Sequence, residues 1–160
     1  MGKAMKTEKG RRAIGAVKNT VIVVCLATVI ISATFFAVRS ILKAEFPMKY
    51  QDKISLYAET YGVPEDLLYG VIHTESGYDE KAKSHAGAIG LTQITPETFL
   101  WLQTKTGETL PEEALYDADT SVKYCAVFYG LLLKEFGGDE KTAIAAYHAG
   151  RGQVNAWLRD

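Results

Sequence analysis

The sequence predicts an all-α, mainly helical globular domain preceded by one transmembrane helix, and three observations lead there. Apolar residues beyond position 50 recur at steps of three and four, with few of the β-branched alternations that strands require. Proline and glycine stand where helices begin and end. A run of 19 uncharged residues lies near the amino terminus. The chain has 160 residues, 48% of them hydrophobic and 23% charged, which is room for one ordinary globular domain plus accessories.

Residues 1–19 carry Lys3, Lys6, Lys9, Arg11, Arg12 and Lys18 against Glu8 alone, a basic tail of net charge +5. The uncharged run from Thr20 to Val38 follows. At about 1.5 Å per residue it covers roughly 28 Å, close to the hydrocarbon thickness of a bilayer. It lacks the polar stripe of a soluble core helix. The rival reading is a cleaved signal peptide, whose apolar part is typically about 7–15 residues, and Ser32–Ala37 offers a mediocre small-residue cleavage site. With the basic flank first, the positive-inside tendency keeps residues 1–19 in the cytoplasm and sends everything after Arg39 across the membrane. The expected division is a cytoplasmic tail at 1–19, a single-pass anchor at 20–38, a tether at 39–48 ending near Pro47, and an extracytoplasmic domain at 49–160.

Within that domain, Ile54, Tyr57, Ala58 and Tyr61 mark a helix that Gly62 closes. Pro64 suits the first turn of the next, with Glu65 and Asp66 at its positive end, and Leu67, Leu68, Val71 and Ile72 carry it to about Glu75. A glycine-punctuated stretch covers 84–95. Thr95, Pro96 and Glu97 read as a cap and a helix start leading into Phe99, Leu100 and Leu102. After a polar loop at about 104–118, Asp119 or Thr120 caps a long helix, apolar on most faces (Val122, Ala126, Val127, Tyr129, Leu132), that forms the buried centre. Gly137 and Gly138 end it, Asp139 caps an alanine-rich helix through Ala149, and a last short element begins around Val154.

Charge narrows the function. Residues 39–160 hold 12 basic side chains against 18 acidic ones. An acidic domain is a poor fit to nucleic acid, whose phosphates demand a basic face. The two cysteines, Cys25 in the apolar run and Cys125 in the central helix, are not expected to pair, and Cys125 reads as a small core residue. No metal-ligand spacing appears, and no cofactor is expected.

Glu75 is the residue that stands out. It lies four positions beyond Val71 and eight beyond Leu67, on the stripe of Leu68, Val71 and Ile72. Burying a carboxylate is costly, so desolvation raises its pKa, which a general acid near neutral pH requires. The alternative is that the helix has ended and Glu75 is a solvated residue near a turn.

Three ordered motifs bear on this choice. They are Glu75-Ser76-Gly77-Tyr78; Ser84 with Ala86-Gly87-Ala88 and then Gly90-Leu91-Thr92-Gln93-Ile94-Thr95-Pro96; and Ala146-Tyr147-His148-Ala149-Gly150. Together they resemble the signature of the lytic transglycosylases related to goose-type lysozyme, over about residues 50–158. The resemblance implies a lysozyme-like helical domain acting on peptidoglycan glycan strands, with Glu75 as single catalytic acid and base. It implies cleavage between N-acetylmuramic acid and N-acetylglucosamine, leaving 1,6-anhydro ends. Ser84, Gly90, Gln93, Thr95, Tyr147 and His148 fall at substrate-binding positions, Tyr147 as the tyrosine beside the catalytic carboxyl. Gly87 and Gly90 would let the backbone approach a saccharide, although loop glycines are often only turn residues. Tyr61, Tyr78 and Trp101 are candidates for stacking on sugars, with packing as the ordinary role. Asp79 reads as a solvated turn residue.

The sequence departs from that family at Thr92, where methionine is usual, at His148, where asparagine is usual, and at Ser121, roughly where asparagine is common. Thr92 is expected to trim an apolar contact in the cleft, and His148 to place an ionisable ring near Glu75. The chain stops soon after Trp157-Leu158, where relatives continue, implying a shortened chain or a more open site. A goose-type hydrolase and a non-catalytic glycan-binding or scaffold module are the rival functions. No motif names a cell-wall or secretion machinery as partner.

Overall fold

The computed structural model describes the backbone of residues 2–45 and 48–159, and side chains for 18–43 and 48–159. It divides into two units, Met1–Pro47 and Met48–Asp160. The first is one helix, α1, Gly2–Glu45. Its segment Lys18–Lys43 is long and apolar enough to cross a membrane, with a mean hydropathy of 2.8. Every side chain from 18 to 43 is exposed, so the apolar surface faces outward all round, as a lipid-facing helix requires. The helix continues past Val38, so the expected tether at 39–48 is helical as far as Glu45.

The second unit is helical, with no strand among the described residues. Its elements are α2 (Gln51–Tyr61), α3 (Glu65–Ser76), α4 (Pro96–Thr106), α5 (Ala118–Glu135), α6 (Glu140–Ala149) and α7 (Arg151–Trp157). A 3-10 helix, Glu112–Tyr116, lies within what reads in the sequence as polar loop. Gly62 ends α2 and Gly77 ends α3, both in the left-handed conformation that glycine adopts freely. Thr95 caps α4, its Oγ1 accepting from Thr98 N, with Pro96 in the first turn. Asp139 caps α6 as expected. The cap of α5 is Asp117, which accepts from Thr120 N and Thr120 Oγ1, not Asp119 or Thr120. Asp119 instead turns outward to Lys53 and Tyr57.

Helix α5 is the centre of the unit and packs against α2, α3, α4, α6 and the 3-10 helix. Val122, Tyr124, Cys125, Ala126, Tyr129 and Leu132 on it are wholly buried. Cys125 is a free thiol in that core, its pKa pushed up to about 12 by burial.

Between α3 and α4 the chain folds back on itself over residues 77–95, closed by isolated bridges Lys83–Ile89 and Ile89–Ile94. Ile89 and Leu91 plug this loop into the core. The loop therefore stands as a fixed wall against the end of α3.

Candidate active site

The carboxyl of Glu75 is presented by the last turn of α3. Leu68, Val71 and Ile72 hold that face of the helix in the core, and Gly77 stops the helix two residues later. Ser76 locks the end in place: its hydroxyl lies 3.1 Å from Ile72 O and 2.8 Å from Leu91 O, across the gap to the loop. The Glu75 side chain keeps 19% of its surface exposed, so it is neither solvated past a helix end nor sealed away. Burial raises its pKa above the ordinary glutamate value, and His148, when charged, partly offsets that rise. The His148 Nδ1 stands 3.1 Å from Glu75 Oε1, on a ring that is about half exposed. The motif at the end of α6 thus meets the motif at the end of α3. No carboxylate contributes to the shift of Glu75.

The other residues at the expected substrate-binding positions mostly have their polar atoms committed to the scaffold. Ser84 Oγ accepts from Ala88 N at 3.0 Å, closing the tip of the loop. Gln93, at a φ of 50°, sends its Nε2 to Ala82 O and Gly90 O at 3.2 and 3.0 Å, which braces the loop from inside. Thr95 Oγ1 is occupied by its cap and by Thr98 Oγ1 at 3.0 Å. Each is near the site in the chain, and each acts first on its own backbone.

Gly90 is buried, with φ of 76°, and a Cβ there would stand 2.0 Å from the carbonyl oxygen of Leu115. The close approach that requires glycine there is to the 3-10 helix beneath the loop. Gly87 has a similar φ of 81° and open space around the same position.

Tyr147 feels the charge of Glu75, while its hydroxyl donates to Thr92 O at 2.6 Å. Its ring stacks on Tyr129 at 4.5 Å and 8°, with the Phe128 ring tilted against it at 5.1 Å. It joins α6 to the loop and to α5, beside the end of α3 that carries Glu75. Thr92 does not trim a contact in the cleft: it is fully buried, its Oγ1 3.0 Å from Ser121 Oγ. Tyr78 is core, stacked against Tyr50, and Asp79 is an exposed turn residue accepting from Lys81 N. Trp101 is partly buried, under Lys105 and Arg151.

Two residues that matter here are not singled out by sequence reasoning. Ser76 is visible in the first motif, yet only the fold shows its hydroxyl spanning two elements. Tyr129 reads as core, and it is wholly buried, but its hydroxyl has no hydrogen-bond partner. Among the described residues, no group of three or more His, Cys, Asp or Glu side chains stands together as a metal site.

The family model described as "Transglycosylase SLT domain" matches residues 52–160. The soluble lytic murein transglycosylase of Escherichia coli K12 is 30% identical over 120 residues, which are 73% of this chain and 18% of that protein. A membrane-bound lytic murein transglycosylase C of Haemophilus influenzae is 31% identical over 117 residues, 66% of this chain and 32% of its own. Among solved structures, an inactive mutant of the lytic transglycosylase Slt from Pseudomonas aeruginosa superposes with a TM-score of 0.71 at 29% identity, covering 74% of this chain and 20% of that one. The 70-kDa soluble lytic transglycosylase of E. coli gives 0.70 at 28%, over 73% and 19%. The chain spans between about a fifth and a third of the length of these relatives.

Proposed function

The chain belongs to the family of SLT transglycosylase domains, and from that membership we propose that it is a membrane-anchored lytic transglycosylase that cuts peptidoglycan with Glu75 as its sole acid and base. The observation that carries this reading is the half-buried carboxyl at the end of α3, raised in pKa by burial and acted on by no other carboxylate. A raised pKa favours the protonated form that a general acid must supply.

Protonated Glu75 donates to the glycosidic oxygen between N-acetylmuramic acid and N-acetylglucosamine, and the bond from that oxygen to the anomeric carbon breaks. The carboxylate so formed has His148 Nδ1 3.1 Å away as its neighbour. It then takes the proton of the muramic acid 6-hydroxyl as that oxygen bonds to the anomeric carbon. Glu75 is protonated again, a 1,6-anhydro ring is closed, and no water is consumed. Intramolecular attack needs no second molecule to be captured and oriented.

Hydrolysis would call for a second carboxylate within about 5–9.5 Å of the first. Asp79 and Asp117 are exposed and bonded to their own turns, which supports the intramolecular route. Mass spectrometry of digested muropeptides, with and without borohydride, tests it. Ends lighter by one water and resistant to reduction are expected, and mainly reducible ends would refute the route. Glu75→Gln should lose clearing of peptidoglycan in a zymogram with its helical circular dichroism intact. Retained clearing would remove Glu75 from the mechanism.

The basic tail before the apolar helix supports an amino terminus in the cytoplasm and a catalytic domain outside. Protease added to spheroplasts is then expected to digest residues 48–160, and a protected domain would reverse the topology.

A further inference from the structure

The chain neighbours of Glu75 and His148 are held by one short piece of the loop. Ser76, next to Glu75 at the end of α3, places its hydroxyl 2.8 Å from Leu91 O. Tyr147, next to His148 near the end of α6, donates its hydroxyl to Thr92 O at 2.6 Å. Two consecutive carbonyls thus receive the neighbours of the two groups that meet at 3.1 Å, Glu75 Oε1 and His148 Nδ1. A shift of residues 91 and 92 pulls on α3 and α6 through different bonds, and so changes that contact.

A third tie fixes this segment to α5. Leu91, Thr92 and Ser121 are wholly buried. Ser121 Oγ lies 3.0 Å from Thr92 Oγ1, which itself donates to Ser121 O at 3.3 Å. A buried hydroxyl that loses its partner is costly, so the pair resists being pulled apart. The methionine usual in the family at position 92 has no hydroxyl to offer, so this tie comes with the departures at 92 and 121.

We propose that Thr92 and Ser121 are positioning residues that, by pinning the Leu91-Thr92 segment to α5, hold His148 against Glu75. The proposal rests on the reading of Glu75 as the acid and base. Both residues act through Ser76 and Tyr147, whose hydroxyls the segment receives. The strength of the Glu75–His148 coupling therefore measures how well the segment is pinned. His148 is the charge that acts on Glu75, and no ionisable side chain of the loop contributes. Cys125 and Tyr129 of α5 and Tyr147 of α6 also face the Glu75 charge. Burial raises the pKa of all three, that of Cys125 to about 12, and keeps them neutral where Glu75 titrates.

Carbon-13 NMR of the glutamate carboxyls, on the full chain in detergent micelles, tests this without turnover. The Glu75 signal is assigned by its loss in Glu75→Gln. In the parent protein His148→Asn should raise the titration midpoint of Glu75. Made on top of Thr92→Val, which keeps the shape and deletes the hydroxyl, the same change should raise it by less than about half as much. Ser121→Ala should act alike, and it decides alone if Thr92→Val does not fold. Thr92→Ser keeps the hydroxyl and should keep the full response. Ile54→Val, a lost methyl group in the buried face of α2, reports general loosening of the core, and the full response should survive it. A full response in Thr92→Val or Ser121→Ala, a weakened one in Thr92→Ser or Ile54→Val, or none in the parent would overturn the proposal. Clearing of peptidoglycan by the unmutated protein is scored separately. A protein that clears nothing but shows these NMR responses loses the reaction and keeps the positioning. One that clears peptidoglycan and keeps the full response in Thr92→Val does the reverse.

Discussion

Gly87 and Gly90 sit three residues apart in one loop with nearly the same backbone conformation, φ of 81° and 76°, and they should respond very differently to one added methyl group. An alanine at either position takes on the strain of the left-handed region, about 1–2 kcal/mol. At Gly87 that is the whole effect, because nothing stands within 4 Å of the new Cβ. At Gly90 the Cβ would lie 2.0 Å from Leu115 O and 3.0 Å from Leu115 C. Those are backbone atoms of the 3-10 helix, and they cannot rotate away. Relieving the overlap means moving the loop or the 3-10 helix by roughly 1 Å, an overpacking cost of about 1–3 kcal/mol. Gly90→Ala is therefore expected to cost about 2–5 kcal/mol in all. For a unit of this size, about 3–6 °C is lost per kcal/mol, so the midpoint should fall by roughly 10 °C or more against about 5 °C for Gly87→Ala. Both tryptophans, Trp101 and Trp157, belong to the second unit, so their fluorescence during urea or thermal unfolding reports on it without interference from α1. Equal losses in the two variants would show that Leu115 does not press against Gly90, and the loop would need another anchor.

Three further outcomes follow from the same contacts. His148→Asn removes the charge that offsets the raised pKa of Glu75, so that pKa should rise further. The limb where clearing fails as Glu75 loses its proton should then move to higher pH, as turbidity assays across about pH 4–8 would show; an unchanged limb would put the ring's charge outside the site. Because the folded pKa of Glu75 lies above its unfolded value near about 4.3, the fold loses stability as pH rises through that window and stays penalised above it. Glu75→Gln should accordingly melt higher than the parent at neutral pH and level with it in more acid solution, and a lower melting point at neutral pH would contradict the burial. Asp117→Ala should cost about 1 kcal/mol in urea unfolding through loss of the α5 cap, and no change would return the cap to a neighbour.

The helices legible in the sequence were those whose ends carry a residue that only an end favours. Gly62, the Thr95-Pro96 pair and Asp139 each stand where the structure begins or stops an element. The start of α5 was harder to read, since Asp117, Asp119 and Thr120 are all good caps by residue type. The 3-10 helix before it decides among them, and at five residues that helix is too short to show a period. Glu75 was legible for a related reason: a carboxylate on an apolar stripe conflicts with the pattern around it. Ser84, Gln93 and Thr95 were legible as residues but not in their bonds, because each closes a turn of its own loop, and spacing along the chain does not say which way a short polar side chain points.

The departures at Thr92 and Ser121 show what such a reading cannot supply. Taken one at a time, each is a polar residue replacing a different family residue, and each looks like a loss at the site. In the fold their hydroxyls lie 3.0 Å apart, both side chains are fully buried, and Thr92 Oγ1 also reaches Ser121 O at 3.3 Å. A lone buried hydroxyl is costly, whereas two that bond each other are satisfied together. Thr92 O in turn receives the Tyr147 hydroxyl, so α5, the loop and α6 are tied at one residue. Changes 29 residues apart in the chain thus form one matched contact in the scaffold beneath the site. Of the departures from the family pattern, only His148 bonds to the carboxyl, and the chemistry proposed for Glu75 therefore needs to be retuned by one neighbour, not rebuilt by three.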